Sequence, residues 1–206
     1  MNQLRLDEDG QAGLADGYVE RYHVGVLGVI QEKGQKMLPM PIADLNAISH
    51  QLAKSGDRVH VLWQQPGSLA FIARGREYRS EFHIDPGDEV MYMIKGQMNL
   101  HYRTPEGKED LTVLTEGSAV FTAAGVPHSP RFPPDAFLLV MERQRLEGEV
   151  DRFHWFCPTC DALLHEEEFI VTDYRLDPVS KAYEKFFNSE EARTCTKCGN
   201  IMPAPP

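Results

Sequence analysis

The stretch GREYRSEFHIDPGDEVMYMIKG, residues 75–96, decides the fold. Asp85-Pro86-Gly87-Asp88 is a turn signal, with Pro presetting φ and Gly tolerating what other residues cannot, and it leads into the β-rich run VMYMI (90–94). His83 and Glu89 stand six residues apart across that turn, and Gly96 closes the unit. Outward in both directions the texture is the same. VHVLW (59–63), LAFIARG (69–75), QMNLHY (97–102), DLTVL (110–114), SAVFT (118–122) and FLLVME (137–142) are separated by PGS, KGQ, TPEGKED and AAGVPHSPRFPP. Short β-rich runs broken this often predict an all-β sandwich or barrel.

The flanks differ. Residues 1–40 start acidic, pass through YHVGVLGVIQ (22–31) and end on a polar break, and are expected to form an arm. PIADLNAISHQLAKSGD (41–57) repeats Ile42, Leu45, Ile48 and Leu52 at helical spacing, with Pro41 in front and Gly56 behind, which predicts one amphipathic helix. Residues 151–206 carry CPTC, a helical-looking middle from Val179 to Arg193, CTKCG and a Pro-rich end. The expected organisation is therefore an N-terminal arm (1–40), a β-domain with its leading helix (41–150) and a small metal-binding tail built on four cysteines (151–206).

At 206 residues, one main domain with a small appendage is the expectation from ~100–200 residues per domain. Lys and Arg number 21 against 31 Asp and Glu, a net charge of −10 that repels phosphate backbones and anionic lipid. Neither nucleic acid nor a membrane is an expected partner. The start MNQLRLDEDG lacks the basic and apolar stretches of a signal peptide, which predicts a cytoplasmic protein.

A second block, GSAVFTAAGVPH (117–128), completes the pattern begun at Gly75. Together the two blocks resemble the paired cupin motifs, in which a His and a Glu from one hairpin and a His from a later strand converge inside a small jelly-roll-like β-barrel. Asp85 departs from that pattern where many cupins carry a further ligand His, and Ala123 where the second motif has Pro. His83, Glu89 and His128 remain, and two imidazoles with one carboxylate suit Fe(II), binding one face of the octahedron and leaving positions for substrate and O2. Arg79, four residues before His83, shares its face if the strand is regular and looks into the same cavity. Glu142 ends the run FLLVM, either at the rim, which the residue taken alone favours, or turned inward. Strand alternation would then put Gln144 on the side of Glu142 and point Arg143 and Arg145 away.

REYRSEFH, HIDPGDEVMYMIKG, VPHSP, MERQR, FHWFCPTC and the late CTKCG together resemble bacterial-type 3-hydroxyanthranilate 3,4-dioxygenase, a cupin with a rubredoxin-like tail. The similarity covers roughly residues 57–201. It implies iron ligands at His83, Glu89 and His128, a role for Arg79 in holding dioxygen or substrate, and a role for Glu142 in bonding the substrate and assisting proton transfer. The family arginine that pairs with the substrate carboxylate falls on Phe132, with Arg131 one residue early, so the acid is expected to meet Arg131 or Arg79. Gly56-Asp57 stands where the family carries Gly-Asn.

Cys157, Cys160, Cys195 and Cys198 form two CxxC pairs, and each CxxC turn can place two thiolates on one tetrahedral metal, Fe or Zn. That metal is expected to be structural, because ring cleavage with both oxygen atoms retained needs no external electron. The 34 residues between Cys160 and Cys195 are read as poor in large apolar anchors. The expected partners are a small aromatic substrate and O2, with a homodimer as the assembly considered. The same chemistry on a different aminophenol or catechol, with Phe132 in place of the carboxylate-binding arginine, is the alternative substrate reading. A ligand-sensing metal cupin without turnover and a rubredoxin-like electron carrier are the rival functions. The second is disfavoured because the β-domain carries a ligand set of its own.

Overall fold

A computed structural model describes residues 41–65, 67–171, 173–175 and 178–205 of the chain. The arm expected at 1–40 lies outside them. Helix α1 (Leu45–Ser55) leads into β1 (Val59–Gln65), β2 (Ser68–Arg74), β3 (Phe82–Ile84), β4 (Glu89–Lys95), β5 (Gln97–Arg103) and β6 (Glu109–Thr115). Then come β7 (Ala119–Thr122), β8 (His128–Arg131), β9 (Phe137–Glu142), β10 (Asp151–Phe156), β11 (Leu163–Phe169), α2 (Pro178–Phe187) and α3 (Glu190–Arg193). No helix among the described residues is long and apolar enough to cross a membrane.

Helix α1 is shorter than the periodicity suggests. Asp44 has extended backbone and its side chain accepts the Ala47 N–H, so it caps the helix and leaves Ile42 outside, 97% exposed. At the other end Gly56 takes φ +82 and its N–H closes on the Leu52 carbonyl, as the Gly behind the helical run predicts.

The strands form two antiparallel sheets, β1-β2-β9-β4-β7 and β11-β10-β3-β8-β5-β6. Met91, Met93, Met98, Leu100, Leu114, Leu138 and Val140 fill the space between them. On the outer face of the first sheet, Leu52 of α1 packs on Ala70, Ile72, Ile94, Phe137 and Leu139. This explains the unbroken run FLLVM. Leu138 and Val140 face the barrel interior, and Phe137 and Leu139 face the helix, so both faces of β9 are buried.

The segment 75–81 between β2 and β3 has no ladder of its own. It passes so close to the 132–133 backbone that a Cβ on Gly75 would lie 2.0 Å from the Pro133 carbonyl oxygen and 2.4 Å from that of Phe132. Only glycine fits there.

β10 and β11 extend the second sheet, with Phe153 in register with His83 of β3. Phe153, Trp155, Val179, Ala182, Phe186 and Met202 make a third apolar cluster, in which Phe186 stacks on Trp155 at 4.4 Å. Val179, Ala182 and Phe186 lie between the two cysteine pairs, so the view of that stretch as poor in apolar anchors is corrected. The expected helical stretch 179–193 is two helices, divided where Ser189 caps α3 by accepting the Ala192 N–H.

Candidate metal centre and cavity

The four cysteine sulfurs lie within 4.8 Å of one another, with Cys157 to Cys198 and Cys160 to Cys195 both at 3.6 Å. Four thiolates around one ion with ~2.3 Å bonds would be spaced by about 3.8 Å, so the cage has the right size for tetrahedral Zn or Fe. The knuckles match. Asp161 and Gly199 both take positive φ, and their N–H groups return to the carbonyls of Cys157 and Cys195. Burial would raise the Cys157 thiol, but backbone N–H groups of Cys160 and Thr159 bring it down to about 6, which favours the thiolate a metal needs. Arg103 of β5 grips Asp161 with two bonds of 2.7 and 2.8 Å while lying over the Phe156 ring, which ties the first knuckle to the barrel.

With an apolar cluster beside it, the cage shares the task of holding the tail. Cys160→Ser is expected to cost on the order of 3 kcal/mol, lowering Tm by roughly 6–12 °C at this chain size, while the folded fraction keeps its turnover. Calorimetry alongside a specific-activity measurement checks this, and a variant of unchanged Tm that has lost turnover would overturn the structural assignment of the cage.

Between the sheets lies a cavity of about 170 Å³. Its polar lining includes His83, Glu89, His128, Arg79, Glu142, Arg145, Asp151 and Arg58, and its apolar lining includes Phe71, Met91, Leu138 and Val140. The short strands β3 and β8 set His83 directly opposite His128, and Glu89 opens β4 just beyond the Asp85–Asp88 turn. One potential ligand atom from each of the three lies within 4.8 Å of the others. His128 Nδ1 donates to the Val126 carbonyl at 2.9 Å, which turns Nε2 toward the cavity, 2.8 Å from Glu89 Oε2. His83 Nε2 is similarly held, 2.7 Å from Asp151 Oδ1. Burial would raise the Glu89 carboxyl, but His128 beside it brings it down to about 2, so Glu89 is an anion. Two imidazoles, each fixed through one nitrogen, with an ionised carboxylate form a donor set that fits a divalent first-row cation.

Glu142 turns inward, its side chain only 3% exposed, and the rim position that the residue alone favours is corrected. Burial, Glu89 and Asp85 push its carboxyl up to about 10 against the pull of Arg145. It therefore holds a proton near neutral pH, and a cation at the neighbouring triad would favour its release.

Arg145, expected to point away, also lies inside. β9 ends at Glu142, so strand alternation stops there. Its guanidinium meets Glu142 at 3.2 Å, Asp85 at 2.6 Å and Asp151 at 2.7 Å, and through Asp151 it reaches His83. Asp85, the departure from the cupin pattern, has both oxygens engaged, one by Arg145 and the other by the Gly87 N–H at 2.6 Å. Gln144 is bonded to Gln64 of β1.

Arg79 does line the cavity, though not by strand alternation, because 75–81 is irregular and Arg79 Nε is held 2.7 Å from Glu81. Phe132 lines it as well. Arg131 does not. Ser129, Glu109 and the Phe82 ring hold it to the side, over a second depression shared with Arg76 and Tyr78. Sequence patterns give no sign of the contribution from the tail, whose Phe153, Phe169, Val171, Tyr174 and Val179 form one wall.

Two antiparallel sheets closed around a His-Glu-His cluster define a cupin. Comparison with known proteins narrows the class. The family model of 3-hydroxyanthranilic acid dioxygenase matches residues 57–187. A 3-hydroxyanthranilate 3,4-dioxygenase of Bacillus thuringiensis is 38% identical over 143 residues, 69% of this chain and 79% of that one. Its counterpart in Shewanella woodyi is 36% identical over 143 residues (69% and 75%). That of Xanthomonas campestris pv. campestris is 33% identical over 142 residues (69% and 80%). The chain belongs to the 3-hydroxyanthranilic acid dioxygenase family. Among solved structures, KdgF from Halomonas sp. covers 43% of this chain and 79% of its own at TM-score 0.36 and 17% identity, an overlap too partial to bear on the fold.

Proposed function

We propose that this chain opens the ring of 3-hydroxyanthranilate with O2, using Fe(II) held by His83, Glu89 and His128. The observation that carries this is the convergence of those three donors with Arg79 and Glu142 on one cavity in a member of this family. Ferrous iron would supply the redox chemistry that lets a closed-shell aromatic ring react with triplet O2. The residues around it do the rest. Glu142 Oε1, held by Arg145, exchanges the proton of the ring hydroxyl. Arg79 offers positive charge where oxygen becomes anionic. Phe71, Leu138, Val140 and Phe153 enclose the ring and keep water from the reacting atoms. The four-cysteine cage holds Zn or Fe and stabilises the tail.

With Arg131 outside the lining, the substrate carboxylate is assigned to Arg58. Arg58 lines the cavity, and its guanidinium donates to the Gly75 carbonyl, at the point where the 75 and 132 backbones touch. That is beside the position where the family arginine would stand. A charge-assisted bond to a carboxylate in a dry pocket is worth about 1.5–3 kcal/mol, roughly ten- to a hundredfold in binding. The expected result is that wild type prefers 3-hydroxyanthranilate over 2-aminophenol by that factor in kcat/KM, that Arg58→Ala erodes the preference, and that Arg131→Ala leaves it unchanged. A wild-type enzyme that works better on 2-aminophenol overturns the substrate assignment.

A further inference from the structure

The loop that carries Arg79 is fastened from the far side of the sequence. Residues 75–81 have no strand partner, yet Arg79 has to be placed to within a fraction of an ångström if it is to act on a reacting oxygen. Its Nε is held by Glu81 Oε1 at 2.7 Å, and Glu81 is completely buried. The other Glu81 oxygen accepts the hydroxyl proton of Tyr183, which lies on α2 more than a hundred residues later. The same hydroxyl oxygen accepts the Ser80 N–H at 2.6 Å. Trp155 Nε1 donates to Ser80 Oγ at 3.2 Å, and the Tyr78 ring meets Tyr183 and Phe187 edge to face at 6.2 and 6.1 Å. One phenol oxygen thus engages the two residues that follow Arg79. Helix α2 is itself held by the Phe186–Trp155 stack and by Met202, just beyond the last cysteine knuckle.

We propose that Tyr183 is a positioning residue, fixing Arg79 in the cavity through Glu81, so that the tail orients a residue of the reaction as well as covering it. This rests on the role given to Arg79 above. Burial beside the Glu81 carboxylate raises the Tyr183 hydroxyl, so it remains a donor across the working pH range.

A double-mutant cycle on the full-length, iron-loaded enzyme tests it, read as kcat and KM separately and as the anaerobic Kd for 3-hydroxyanthranilate. Tyr183→Phe keeps the ring and its packing while removing the hydroxyl. The expected loss in kcat/KM is about ten- to a hundredfold in the wild-type background and less than about twofold in an Arg79→Gln background, because the positioned group is already gone. Equal factors in the two backgrounds, or no loss in wild type, overturn the proposal and leave Tyr183 a packing residue. An Arg79→Gln enzyme as active as wild type overturns the role of Arg79 itself and the proposal with it. Glu81→Gln provides the same comparison if Tyr183→Phe folds poorly.

Discussion

Replacing His83, Glu89 or His128 with alanine is expected to abolish turnover and iron binding while leaving the barrel folded. The three side chains come from three strands of two sheets, so truncating one leaves two protein ligands for a labile divalent ion, too few to retain it. The fold should survive, because the interior is closed by Met91, Met98, Leu100, Leu138 and Val140, and removing Glu89 relieves the charge crowding that raises Glu142 and Asp85. Iron content by metal analysis, with circular dichroism on the same samples, checks this. A variant that retained wild-type iron and turnover would remove that residue from the ligand set.

The second large effect concerns stability. Arg145→Ala is expected to cost about 3–5 kcal/mol near neutral pH, because it leaves Asp85, Asp151 and Glu142, all with side chains no more than 3% exposed, without their shared cation. The pH dependence has a definite sign. Burial would raise Asp151, but Arg145 and His83 hold it below its ordinary 3.8. Its contribution is therefore fully present above that value and is lost as pH falls through the lower folded pKa. In the variant the share that Arg145 supplies is gone at every pH, so the difference in unfolding free energy should be largest near neutrality and should shrink as pH falls below 3.8. Urea unfolding over a descending pH series measures it. A difference under about 1 kcal/mol at neutrality, or one that is flat with pH, would mean the carboxylates are satisfied without Arg145.

Strands with regular patterning are legible in the sequence, and the site is legible where its spacing is local. β1, β2, β4, β5, β6, β7 and β9 all match short apolar runs, and His83, Glu89 and His128 stand out from the spacing of two motifs. β3 and β8 are hidden because they are three and four residues long, carry polar side chains toward the cavity, and in β8 include Pro130. Arg145 is misplaced by alternation for a related reason, since the backbone past the end of β9 is irregular. For Arg79 the same rule points to the right cavity although the segment that carries it is no strand. The tail wall is invisible in the sequence, because Phe153, Val179 and Tyr183 reach the cavity or its supports only through sheet pairing and helix packing between residues far apart along the chain.

The central claim is ring cleavage at the His83, Glu89 and His128 centre, and oxygen uptake tests it most directly. Protein reconstituted anaerobically with Fe(II), freed of excess metal and mixed with 3-hydroxyanthranilate and O2 should consume one O2 per substrate consumed and bleach the aromatic absorbance. Full iron occupancy at the triad with 3-hydroxyanthranilate bound, yet no oxygen uptake, would contradict it.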